Sequence, residues 1–105
     1  MMSGAEEIRR TVVARLRDII DPEIGINIVD LGLIYAIRVE DGDLEVQYAT
    51  TTPGCPLRRF IEQQIKVAVQ QLPGITRSEV LFVTSPSWQV EMVAGHVSLF
   101  RSQAR

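Results

Sequence analysis

Apolar residues along this chain recur first with a helical period and then with a strand period. Ile8, Val12, Val13, Leu16, Ile19 and Ile20 fall on one face of a 3.6-residue repeat. Ahead of them Ser3-Gly4-Ala5-Glu6 has the spacing of a capping box, in which a hydroxyl satisfies a free N–H group of the first turn. The pattern predicts a helix over residues 4–20, stopped at Asp21-Pro22 because proline disfavours the helical conformation in the residue before it. Leu33, Tyr35, Ile37 and Val39 then alternate with less apolar neighbours, as do Leu44, Val46 and Tyr48, and Asp41-Gly42 between the two runs is a two-residue hairpin signal. Helical spacing returns at Leu57, Phe60, Ile61, Ile65, Ala68, Val69 and Leu72, and Pro73-Gly74 ends it. Residues 80–83 read as a short buried strand. The order predicts an α+β fold: a two-layer α-β-β-α-β sandwich with two helices packed on one face of a small mixed sheet.

Two stretches fit neither period. Residues 21–32 carry two glycines and three acids together with Ile24, Ile26, Ile28, Val29 and Leu31, a connection too apolar to stand free and expected to be packed down. Residues 86–105 hold Trp88, Val90, Met92, Val93, Val97, Leu99 and Phe100, so they read as a C-terminal extension that covers the core or a partner, with Trp88 as a lid on the core. No repeat or linker divides the 105 residues, which are expected to form a single domain over 1–105.

Composition narrows the function. The longest uninterrupted apolar run, from Leu33 to Ile37, is five residues, against the roughly 18 that a membrane-crossing helix needs. The start of the chain lacks the charged-then-apolar order of a signal peptide, and one cysteine allows no intrachain disulfide, which fits a reducing, cytoplasmic setting. A pI of about 5.3 argues against nucleic acid as a main partner. Residues 18–45 hold eight acids and one base, whereas from residue 58 onward six bases face three acids, a division that suits either two opposed poles or scattered solvated charge.

The richest segment lies between the hairpin and the second helix: Thr50-Thr51-Thr52-Pro53-Gly54-Cys55-Pro56-Leu57-Arg58-Arg59. Pro53-Gly54 suits the centre of a type II turn, and Pro56 suits the first position of a helix, which makes Cys55 the expected N-cap. Serine, threonine, aspartate or asparagine caps better, so a cysteine there calls for a reason beyond helix stability. The N–H groups of Leu57 and Arg58 would then face the sulfur, with Arg58 and Arg59 close by, and thiolate would be favoured as nucleophile or metal ligand. A small buried hydrophobe is the bland alternative.

Asp21, Glu23 and Asp30 are the second candidates, since acids in an apolar loop must meet water, an N–H group or a metal. Asp21 equally suits a turn cap, and Asp30 a backbone hydrogen bond. The hydroxyls of Thr51 and Thr52 can bond a ligand or the cysteine, while Thr50 suits the end of a strand. His96, the lone histidine, lies in the extension.

The segments DPEIGINIVDLGLIY and TTPGCPL, with the later Leu72-Pro73-Gly74, resemble the SufT/PaaD-like iron–sulfur cluster assembly domain family over about residues 8–92. The resemblance implies a small factor for maturing iron–sulfur proteins, with Cys55 as its central, metal-binding residue. It also implies that Asp21, Glu23, Asp30, Thr51 and Thr52 gather near that cysteine. A similar domain precedes the nucleotide-binding part of some iron–sulfur scaffold ATPases, but this chain has no Walker-type motif, so no nucleotide is expected. In the family the chain usually continues from the tryptophan into an acidic, serine-containing stretch, whereas here Trp88-Gln89-Val90-Glu91-Met92 runs into Val93-Ala94-Gly95-His96.

Stoichiometry limits the mechanism. An iron–sulfur cluster commonly takes four protein ligands, mostly thiolates, and this chain has one cysteine. Two chains share a cluster as a homodimer, a partner's thiol or glutathione completes it, or the protein is an adaptor. The preferred expectation is transient binding of iron or a cluster, or adaptor work, in transfer between assembly proteins and client apoproteins. Cys55 then serves as thiolate and Glu23 or Asp30 as supporting oxygen ligand. The alternatives are a thiol-dependent enzyme with Cys55 as nucleophile, which lacks an evident base, and an adaptor subunit of a phenylacetate-type oxygenase system.

Overall fold

A computed structural model describes residues 3–52 and 54–93. Its elements run α1 (Gly4–Leu16), β1 (Ile34–Glu40), β2 (Asp43–Tyr48), α2 (Arg58–Ala68) and β3 (Arg77–Phe82), followed by a 3-10 turn at Val90–Met92. The sheet order is β1-β2-β3, with β1 antiparallel and β3 parallel to β2. This is the expected order of elements and the expected mixed sheet.

Along β2 the side chains alternate cleanly. Leu44, Val46 and Tyr48 are buried and meet Val12 and Leu16 of α1 and Ile61 and Ile65 of α2 in the core, while Asp43, Glu45 and Gln47 turn to the other side. Asp41 and Gly42 both have positive φ, 51° and 83°, as a two-residue turn matched to the twist of its strands demands.

The ends of the elements differ from the sequence expectation, and each difference has a local cause. Ser3 caps α1 as expected, its hydroxyl accepting the Glu6 N–H at 3.2 Å, but the helix stops at Leu16 and not at residue 20. Beyond it Asp18 and Ile19 bond back to Arg15 and Leu16, and Ile20 bridges to Asn27. Ile19 stays buried at 7% exposure while Ile20 lies 49% exposed, so the apolar period outruns the helix. Helix α2 ends at Ala68; Leu72 reaches the core from a turn in which Gln71 has a φ of 55°. Strand β3 starts three residues before Val80, because its exposed half, Arg77-Ser78-Glu79, pairs with β2 through the backbone and carries no apolar signal.

The 21–32 connection is packed down as expected. Ile28 and Leu31 are fully buried, and the indole Nε1 of Trp88 donates to the Leu31 carbonyl at 2.7 Å. Tyr35 donates to the Pro86 carbonyl at 2.8 Å, and Val93 joins the core. The extension therefore covers the core as far as residue 93; His96, Val97, Leu99 and Phe100 lie outside the described residues. Among the described residues no helix is long and apolar enough to cross a membrane.

Candidate functional site

Residues 49–57 carry the chain from the end of β2 to the start of α2, and Cys55 sits near the end of that loop with 7% of its surface exposed. It is not the N-cap. That position belongs to Leu57, whose side chain makes no capping bond, and the first helical hydrogen bond runs from Ile61 N–H to the Leu57 carbonyl. Pro56 and Leu57 form a preceding turn in which the Arg58 N–H is taken by the Cys55 carbonyl at 3.2 Å. Backbone oxygen, not sulfur, thus satisfies the donor that sequence reasoning aimed at the thiol. Gly54 has the positive φ, 72°, that its turn position demands, while Pro53 lies outside the described residues.

The sulfur instead meets a carboxylate. Cys55 Sγ lies 3.9 Å from Oε1 of Glu23, in hydrogen-bonding range for a thiol donor. Glu23 is presented by a tight turn built on Asp21, which is 2% exposed. Oδ1 of Asp21 accepts the N–H groups of Glu23 at 2.8 Å and Ile24 at 3.2 Å, and its carbonyl accepts the Gly25 N–H at 2.7 Å. Asp21 is therefore the anchor of the turn, with its carboxylate engaged by backbone. Asp30 is engaged elsewhere: it accepts from Asn27 Nδ2 at 2.9 Å and pairs with Arg17 at 3.5 Å. Of the three acids, Glu23 is the one whose carboxylate meets the sulfur.

The other expected residues divide similarly. Thr50 is buried and its hydroxyl donates to the Thr52 carbonyl at 2.7 Å, closing the start of the loop. Thr51 is half-buried and lines a cavity of about 70 Å³ with Thr84, Ser87 and Trp88; Thr52 is exposed. Arg58 turns away from the sulfur. Its Nη1 donates to the Tyr48 hydroxyl at 3.2 Å and to Glu62 at 3.3 Å, and its Cζ lies 4.7 Å over the Phe82 ring. The Arg58 guanidinium expected beside the thiol is thus spent on β2, α2 and β3.

Sequence reading missed Tyr48 and Glu62 as neighbours of this loop. Tyr48 donates to Glu62, which also pairs with Lys66 at 3.3 Å. Burial, reinforced by the Glu62 carboxylate, pushes the Tyr48 phenol up to about 12, and the bond from Tyr48 holds Glu62 below the usual glutamate range. One signal was available: Arg58 and Glu62 are four apart on a helix, the spacing of an ion pair. Asn27 was missed too; its Oδ1 accepts the N–H groups of Val29 and Asp30, shaping the turn that precedes β1.

Among the described residues no group of three or more histidine, cysteine, aspartate or glutamate side chains converges to hold a metal ion. What the loop offers is a two-donor corner, one sulfur and one carboxylate oxygen. Thiolate is a soft donor and carboxylate a hard one, and iron accepts both.

The chain is similar to known proteins in sequence and in fold. The chain is 32% identical over 95 residues to the Fe-S protein maturation auxiliary factor YitW of Bacillus subtilis, covering 90% of this chain and 93% of that one. It is 39% identical over 82 residues to the Fe-S protein maturation auxiliary factor SufT of Staphylococcus aureus, covering 77% and 93%. The crystal structure of a domain of unknown function from Bacillus anthracis superposes with a TM-score of 0.78 at 28% identity, over 96% of each chain. The profile of the iron-sulfur cluster assembly protein family matches residues 9–82, and the chain belongs to that family.

Proposed function

We propose that this protein assists the maturation of iron–sulfur client proteins by transiently holding iron or an iron–sulfur cluster at Cys55, with Glu23 as supporting oxygen ligand. The observation that carries the reading is the contact between Cys55 Sγ and Glu23 Oε1 at 3.9 Å, which joins two segments 32 residues apart. When iron binds, the S–H bond breaks, its proton is released to water, the sulfur's electron pair goes to the metal, and the Glu23 carboxylate stays ionised as oxygen donor. A second donor beside the sulfur raises affinity without closing the site, so cargo can leave again. Remaining ligands come from outside the chain: a client apoprotein, an assembly protein, glutathione or a second copy. The maturation-factor names of its relatives in Bacillus subtilis and Staphylococcus aureus favour this role over catalysis. Within the same reading the protein acts as a single domain in the cytoplasm. Asp21 serves by presenting Glu23, while Asp30, Thr51, Thr52 and Arg58 shape the surrounding loops.

Anaerobic reconstitution with ferrous iron and sulfide, alone and with an apoprotein client, tests it. Iron retained by the wild type and lost in Cys55→Ala supports a carrier. Equal iron in both proteins under both conditions overturns it and leaves the adaptor role. The thiol-enzyme alternative gains one observation, since Glu23 stands where a base for Cys55 would stand; a thioether or acyl adduct at Cys55 formed on turnover would be its signature.

A further inference from the structure

Arg58 holds the Cys55 loop by its backbone and by its side chain. Its N–H donates to the Cys55 carbonyl at 3.2 Å, while its half-buried guanidinium donates to the Tyr48 hydroxyl at 3.2 Å and stacks over Phe82. Tyr48 is the last residue of β2 and Arg58 the first of α2, so everything between them is the loop that presents Cys55. Their bond joins the two ends of that loop. Glu62, one turn further along α2, accepts the Tyr48 proton and a second bond from the same Nη1, and Lys66 holds it in turn. Tyr48 itself cannot give way easily, being fully buried, with its carbonyl bonded by the Val83 N–H at 2.8 Å beside β3.

From this closure we infer that Tyr48 is a positioning residue for Cys55: its hydroxyl, acting through Arg58, keeps the loop shut so that the sulfur stays buried against Glu23. The inference rests on the reading of Cys55 and Glu23 as the working pair and adds the device that sets their geometry. Hydrogen bonds to a charged group are about twice as strong as neutral ones. A planar guanidinium held between a phenol, a carboxylate and an aromatic ring ties the first residue of α2 to the last residue of β2. Removal of the phenol oxygen leaves the Arg58 side chain with Glu62 and the Phe82 ring but with no bond to the end of β2, so the two ends of the loop are no longer tied there. Local opening of the loop becomes more frequent while the rest of the core keeps its packing.

The test is the rate at which iodoacetamide alkylates Cys55 in the folded protein, compared with the pH dependence of that rate. Tyr48→Phe should raise the rate by about tenfold, the shift in a local opening equilibrium expected for loss of one hydrogen bond to a charged group. Arg58→Lys, which keeps the charge and loses the planar fork, should raise it similarly, and the double variant should exceed either by little, because both break one joint. Val39→Ala, at the hairpin end of β1 where it pairs with Leu44 and not with Tyr48, supplies a variant of reduced overall stability whose Cys55 rate should match wild type. If Tyr48→Phe fails to fold, Arg58→Lys carries the comparison. An unchanged rate in the loop variants, or an equal rise in Val39→Ala, overturns the inference. Alkylation reports the loop and not the cargo, so the result stands apart from whether Cys55 binds iron.

Discussion

Cys55 Sγ faces Oε1 of Glu23 at 3.9 Å, and the carboxylate reaches that place because Asp21 ties the Glu23 N–H to its own side chain. The sulfur's polar environment is thus an acceptor from another loop, not the donors of the helix that follows it. A thiol in that setting has a hydrogen-bond acceptor at hand, and on the proposed reading the same carboxylate is the second ligand for iron.

Glu23→Gln keeps the shape and an acceptor oxygen for the thiol but removes the negative charge that favours a metal cation. Glu23 is exposed, so stability should change by less than about 0.5 kcal/mol. Affinity for ferrous iron in an anaerobic titration should fall by about tenfold, the usual scale for loss of a group supporting a metal ligand. Equal affinity in variant and wild type removes Glu23 from the site.

Much of the fold was legible because burial and period coincide: the hairpin at Asp41-Gly42, the β2 alternation and the apolar faces of both helices all appear as expected. The ends were not, because they are set by hydrogen bonds that hydrophobicity does not record. Ile20 has the right spacing for α1 but pairs with Asn27, and Arg77-Ser78-Glu79 enters β3 through backbone pairing alone. The site was legible in its members and not in its electrostatics. Proline after Cys55 suggested an N-cap, yet the Pro56-Leu57 turn intervenes, and Arg58 finds Tyr48, Glu62 and Phe82, partners from three elements that no local spacing brings together. Glu23, by contrast, comes to the cysteine through the packing of the apolar 21–32 connection.

Gly32 marks how tightly that connection is covered. Its φ is 82°, and a Cβ there would lie 2.8 Å from the Met92 Cβ, in the segment that also carries Trp88 and Val93. Gly32→Ala should cost roughly 2 kcal/mol or more, from left-handed strain and from overlap with Met92. Denaturant unfolding checks it. A loss below half that figure means the C-terminal segment yields without resistance.

The Tyr48–Glu62 pair should shape the pH dependence of stability at both ends. The Tyr48 phenol rises to about 12 in the folded chain from 10.0, so between those values the folded state keeps a proton the unfolded state has released. Stability contributed by Tyr48 is complete below pH 10 and falls as pH rises through the window, by at most roughly 1.4 kcal/mol per pH unit. Glu62 is shifted the other way, below its ordinary 4.5, so its contribution is present above that value and falls as the solution is acidified through the folded range. Tyr48→Phe should therefore flatten both limbs of a plot of melting temperature against pH. Parallel curves for variant and wild type would show that the pair is not coupled to folding.

Cys55→Ser separates the structural from the chemical role of the sulfur. Because Leu57 and not Cys55 is the N-cap, serine gains no capping bond here; its hydroxyl replaces a thiol of similar size beside Glu23 and can donate to the same carboxylate. The site is 7% exposed, so the exchange of a weakly polar sulfur for a hydroxyl that keeps a partner should change stability by at most about 1 kcal/mol. Oxygen is a far poorer ligand than thiolate for iron–sulfur chemistry. In cells that depend on this protein, the variant should accumulate at wild-type level yet leave iron–sulfur client enzymes under-matured, with enzyme activity and bound iron of the clients falling together. If Cys55→Ser restores full client activity, the sulfur is not the working group, and the function passes to the protein's surface as an adaptor. If client activity falls while the variant is also unfolded, Cys55→Ala, which removes the polar contact altogether, separates the two effects by its own folding and maturation levels.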